Sequence, residues 1–154
     1  MTSVALLKLH FLEVRRRSEL AWRSIPPRAL TFRCDLASLS LLEQVRHVLE
    51  GEYLYGEMVK SGGDVGDEQT PWTGRPFTSV ETELAFAAPY RTSFLAMVDS
   101  LTDDDLVARS VRRPAYTRRI GDFLLRAAYH EAVHLGELLR DMRAAGVERP
   151  HVWD

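Results

Sequence analysis

The sequence holds a single cysteine, Cys34, in 154 residues. That excludes an intramolecular disulfide and the disulfide-stapled secreted folds, so a reducing cytoplasm is the expected setting. No apolar run approaches the roughly 18 residues that a membrane span requires. Met1 to Lys8 lack the basic-then-apolar layout of a signal peptide. An excess of either charge is also missing. Twenty basic residues face 22 acidic ones, for a net charge of −2, and this argues against a dedicated nucleic-acid binder, which carries a basic excess. There are no internal repeats, heptads or low-complexity tracts. What remains, at 45% hydrophobic and 27% charged residues, is the composition of one globular domain spanning residues 1–154.

The apolar periodicity predicts four long helices. The first runs over about residues 3–24, with Ser3 as its cap and Val4, Leu7, Phe11 and Val14 on one face. Pro26-Pro27 ends it. Residues 26–37 form an irregular connection, partly extended at Leu30 to Phe32. The second helix starts at Ser38 or Ser40 and runs to Lys60. Ser40 and Glu43 have capping-box spacing, and apolar residues surround much of the helix. Residues 61–77 carry Gly62, Gly63, Gly66 and Gly74 with Pro71 and Pro76, a long loop of a kind that is often functional. Thr78 to Glu81 reads as a second capping box, opening a helix over about 79–100 that Pro89 is expected to kink or divide. A turn or short helix follows at Thr102 to Asp105, then extended chain over 106–118. The last helix spans Ile120 to Ala145, with Gly146 and Pro150 as stop signals. The fold class is therefore all-α, a four-helix bundle.

The chemistry concentrates on histidine. His130 and His134 are spaced i, i+4, which puts both imidazoles on one face, a turn apart. Glu137 and Asp141 continue that stripe. His47 sits midway along the second helix, where a histidine among apolar residues is costly unless bonded or bound. Taken alone, His47 reads more simply as a hydrogen-bonded core histidine, and surface or core-edge histidines are an equal alternative for the pair. Taken together, three neutral imidazoles suit Zn²⁺, Ni²⁺, Cu²⁺ or Fe²⁺ and leave positions open for water or substrate.

With a helix-two histidine in Arg46-His47-Val48-Leu49-Glu50-Gly51-Glu52 and a final helix reading Tyr129-His130-Glu131-Ala132-Val133-His134-Leu135-Gly136-Glu137-Leu138, the chain resembles the DinB/YfiT-like superfamily. The resemblance covers nearly the whole chain, down to Gly146-Val147-Glu148-Arg149-Pro150. It departs from the family at Glu137, where a glutamine is usual, and this puts an acid beside the site. The resemblance implies up-down-down-up helix order. It also implies one divalent metal (zinc or nickel first) on His47, His130 and His134, and frequent homodimers. Relatives include S-transferases and isomerases that use low-molecular-weight thiols such as bacillithiol and mycothiol.

A metal-dependent transferase with a thiol cosubstrate and a small-molecule substrate is thus one expectation. Glu137 or Glu50 would orient a ligand imidazole or accept a proton, though both also read as ordinary surface acids. Arg112, Arg113 and Arg119 are candidates to hold a carboxylate of the thiol, against solvated surface charge, the reading that also covers Arg15 to Arg17. A non-catalytic, metal-stabilised dimeric stress-response or binding module is the other expectation. His130-Glu131-Ala132-Val133-His134 also matches the zincin His-Glu-x-x-His pattern, with only Glu148 and His151 as late third ligands. Glu131 to His134 matches half of a di-iron bundle site, with no second copy of the motif. Cys34 is a possible reactive thiol, and Trp72 and the 61–77 loop a possible lid. Trp22 and Tyr53 are assigned to the core, and His10 is unassigned.

Overall fold

A computed structural model describes residues 1–66 and 69–153. Asp67 and Glu68, in the glycine-rich loop, lie outside the described residues. Four long helices dominate: α1 (Ser3–Arg23), α2 (Leu41–Ser61), α3 (Val80–Asp99) and α5 (Ile120–Ala144). A short α4 (Asp103–Ala108) and a hairpin of β1 (Ser110–Arg113) and β2 (Tyr116–Arg119) link α3 to α5. The fold is thus an all-α bundle with one small antiparallel insertion.

Contacts between helices fix their order. Asp103 holds the α1 N-terminus, and Val4 and Phe11 share a cluster with Phe123 of α5, whereas Trp22 shares one with Met142. Hence α1 and α5 run parallel. Tyr55 packs on Phe123 and Gln44 bonds Asp141, so α2 runs antiparallel to α5. Arg46 meets Glu83 and Tyr53 meets Tyr90, so α3 runs parallel to α2. The order is up-down-down-up.

The caps follow sequence chemistry with two corrections. Thr2, not Ser3, caps α1 by accepting the Ala5 N–H. Ser40 and Glu43 form the expected capping box, but at α3 Ser79 accepts from the Thr82 N–H and no box with Glu81 forms. Helix α3 passes Pro89 undivided. Gly146 takes φ +67, the left-handed conformation that frees the Val147 N–H to reach the Met142 carbonyl and close α5.

The core falls into two apolar clusters, one around Trp22, Leu41, Trp72 and Met142, the other around Phe11, Phe94, Ile120 and Phe123. A charged belt separates them, built by one residue from each long helix: Arg15, Glu52, Arg91 and Glu131. Arg15 binds both Glu131 oxygens at 2.9 and 3.0 Å and approaches Glu52 at 3.3 Å. Arg91 binds Glu52 and donates to the Phe11 carbonyl at 2.7 Å. Arg15 is only 6% exposed, so the surface reading of that arginine is wrong. It extends the Phe11 stripe by one turn toward Trp22, and its charge is kept because Glu131 and Glu52 offset its burial.

Trp72 is also not a lid. It is 2% exposed and packs on Tyr53, Phe86 and Tyr90. The loop's last turn is pinned as well: Arg46 donates to the Arg75 and Pro76 carbonyls at 2.7 Å while binding the fully buried Glu83.

Candidate metal centre

Antiparallel packing of α2 on α5 brings His47 against His130 and His134. The three rings lie 4.5 to 5.0 Å apart by centroid, and each offers a nitrogen within 4.8 Å of the others. The Nε2 atoms of His47 and His130 are 3.1 Å apart. Two nitrogens on one tetrahedral zinc, each about 2.0–2.1 Å from it, stand about 3.3 Å apart, so this pair already has the spacing of shared ligands. His134 Nδ1 donates to Glu137 Oε2 at 2.7 Å. A carboxylate only accepts, so the proton sits on Nδ1 and the Nε2 lone pair is left for a ligand bond.

Local sequence explains why the rings meet. Gly51, one turn beyond His47, leaves room for the His130 ring; a Cβ there would lie 2.8 Å from His130 Cε1. Tyr55 closes the same side, its ring centroid 5.8 Å from that of His130. His47, expected among apolar residues, instead sits on the exposed side of α2, so the triad opens to solvent there.

The electrostatics favour neutral rings. Burial, then the neighbouring His134 and His47, push the His130 pKa down to about 4. Burial of its ring, then His134, lowers that of His47, against the opposing pull of Glu50 and Glu137. Both imidazoles are therefore neutral at neutral pH, and in the ion-free protein one Nε2 of the pair donates to the other. Three imidazole nitrogens converging on one point could hold a metal ion and fit an anion poorly.

The other candidates fall as follows. Glu137 touches the triad directly. Glu50 lies one turn from His47 and accepts a hydrogen bond from Thr70 Oγ1. Arg112, Arg113 and Arg119 stand on the hairpin, at the other end of α2, where the Arg112 N–H bonds the Gly62 carbonyl. His130 is ten residues into α5, about 15 Å along the helix from that hairpin. Arg113 is engaged by Asp64 at 3.3 Å and by Tyr116. None of the three reaches the histidines.

Glu131, the acid of the zincin pattern, is turned into the bundle onto Arg15 and cannot serve as a base at the histidines. The third imidazole comes from α2 rather than from Glu148 or His151. Both the zincin and the di-iron readings fail on this geometry. Cys34 is exposed, and its thiol donates to Asp141 at 2.9 Å. His10 lines an apolar groove of about 560 Å³ between α1 and α5, on the opposite side of α5 from His130 and His134. Residues that the sequence reading missed are Arg91 and Glu52 of the belt and Gly51. For Gly51 the signal was present, since glycine inside a helix marks a close approach.

Fold and site define a helical bundle with a three-histidine set, borne on two antiparallel helices, that could hold a metal ion. Residues 10–138 match the DinB superfamily, and the chain belongs to that superfamily. Among solved structures it is similar to a DinB-like protein from Bacillus subtilis, with TM-score 0.73 and 24% identity over 96% of each chain. It is also similar to a DinB-like protein from Bacillus cereus, with TM-score 0.69 and 19% identity over 92% of this chain and 91% of that one. At these identities the likeness speaks for the fold. No functionally curated protein matches the sequence. No helix among the described residues is long and apolar enough to cross a membrane.

Proposed function

We propose that the protein is a divalent-metal-dependent transferase that takes a low-molecular-weight thiol at the His47/His130/His134 centre and joins its sulfur to a small electrophilic substrate. The observation that carries this reading is the set of three converging imidazoles with a solvent-open side at His47. A bound cation supplies positive charge that lowers the pKa of a nearby thiol and favours the thiolate, its nucleophilic form. The protein residues do the rest. Glu137 holds His134 in one tautomer and one orientation. Glu50, held by Thr70, passes the thiol proton on to solvent and so keeps its negative charge. The sulfur then forms a bond to the electrophilic carbon as the leaving group departs with its electron pair.

Zinc or nickel is the expected ion, a homodimer the expected assembly and the cytoplasm the expected location, where thiols stay reduced. The apolar α1/α5 groove, with Leu6, Leu9, Tyr129 and Trp153 exposed along it, supports a dimer. The test is conjugation of bacillithiol, mycothiol or glutathione to a chlorinated aromatic electrophile, with zinc or nickel present and then chelated. Metal-dependent conjugation with one thiol is expected; none with any of them overturns the reading.

A non-catalytic, metal-stabilised dimeric module is the second reading. It is favoured by the position of the 560 Å³ groove away from the histidines. Loss of the dimer on chelation, with no thiol chemistry in the loaded protein, would support it.

A further inference from the structure

The charges around the open side of the triad are not those a carboxylate-bearing thiol would need. Two carboxylates flank it: Glu137, 2.7 Å from His134, and Glu50, one turn beyond His47. Glu50 is held by the neutral hydroxyl of Thr70, which leaves its charge in place. Apart from Arg126, the other described charged groups within a turn or two are paired. Glu131 is bound by Arg15, Glu43 by Arg33, Arg46 by Glu83 and Arg140 by Asp141. Arg126 stands exposed one turn before His130, on the hairpin side. Arg112 and Arg119 form cross-strand pairs with Thr117 and Ser110 on the outer face of the hairpin, far along α2 and α5.

We infer that the site selects thiols carrying a positive charge close to the sulfur, such as an ammonium group, and discriminates against thiols carrying a carboxylate there. The histidines hold the cation that meets the sulfur, while Glu50 and Glu137 meet the ammonium from either side. Two carboxylates at the rim of a half-buried site attract a substrate cation and repel an anion, and the two effects add in a comparison of such thiols. This inference rests on the thiol-binding reading given above.

The test uses full-length protein loaded with Co²⁺ and follows the thiolate-to-cobalt charge-transfer absorbance. The probes are thiocholine, whose quaternary nitrogen cannot bind metal, neutral 2-mercaptoethanol and anionic 3-mercaptopropionate. With affinities compared per thiolate, thiocholine is expected to bind about tenfold or more tighter than 3-mercaptopropionate, with 2-mercaptoethanol between them. Glu50→Gln keeps an acceptor for Thr70 and should shrink that ratio several-fold while cobalt stoichiometry stays the same. Glu137→Gln should shrink it as well. Equal binding of the charged probes, or tighter binding of 3-mercaptopropionate, overturns the inference while leaving thiol binding established. No charge-transfer band with any probe overturns the thiol reading and the inference with it.

Discussion

Arg15 on α1 grips both carboxylate oxygens of Glu131 on α5, at 2.9 and 3.0 Å, directly behind the histidine at position 130. This buried pair sets the rotation of α5. With Glu131 turned inward, the preceding His130 and the following His134 must face α2. Arg15→Ala leaves Glu131 buried without its partner and should destabilise the fold by about 3–5 kcal/mol. Urea denaturation of the metal-free protein measures this. A change within experimental error would show that the belt does not hold the bundle.

Gly51→Ala separates packing from ligand geometry. In a helix interior alanine is favoured over glycine by about 0.5–1 kcal/mol, so the metal-free protein should be no less stable. The new Cβ, however, meets His130 Cε1 at 2.8 Å, and the ring must swing away from His47. Metal affinity should fall about tenfold or more, as expected when one ligand is displaced. Calorimetric titration with zinc checks the affinity. Unchanged affinity would mean that the His130 position seen here is not the ligating one.

Acid should weaken the metal-free fold through the same histidine. His130 titrates near pH 4 when folded, against 6.5 for a free imidazole. Between those values the unfolded chain binds a proton that the folded one refuses. Stability therefore rises with pH across this window and is lost as pH falls through it. The wild-type denaturation midpoint should drop more between pH 7 and pH 5 than that of His130→Gln. Parallel drops would contradict the assignment.

Cys34 should be a slow nucleophile despite its exposure. Its hydrogen bond to Asp141, then desolvation and the charge of the same carboxylate, raise the thiol pKa. Alkylation by iodoacetamide at pH 8 should be slower than for a free cysteine and several-fold faster in Asp141→Asn. Equal rates in the two proteins would show that Asp141 does not control the thiol.

Much of the site was legible in sequence because helical periodicity is local. The i, i+4 spacing of His130 and His134 fixes their shared face whatever the tertiary fold, and the family pattern adds His47 from a second helix. The belt was not legible, because Arg15, Glu52, Arg91 and Glu131 become neighbours only when four helices pack. Read alone, Arg15 in a run with Arg16 and Arg17 looks like solvated charge, and its place on the Phe11 stripe was the one available sign. The arginines of the hairpin misled for a similar reason. Proximity along the chain to the start of α5 says nothing about the roughly 15 Å of helix rise that separates them from His130. Trp72 was read as a lid from its glycine-rich surroundings, but a large aromatic within reach of Tyr53, Phe86 and Tyr90 is buried in preference to standing in water.

Metal stoichiometry tests the central claim most directly. Metal-free protein is titrated with zinc and with nickel by calorimetry, beside His47→Ala, His130→Ala and His134→Ala, with folding of each variant verified by circular dichroism. The three-histidine centre calls for one ion per chain in the wild type and loss of stoichiometric binding in every folded variant. Full retention of the ion by His134→Ala would contradict it.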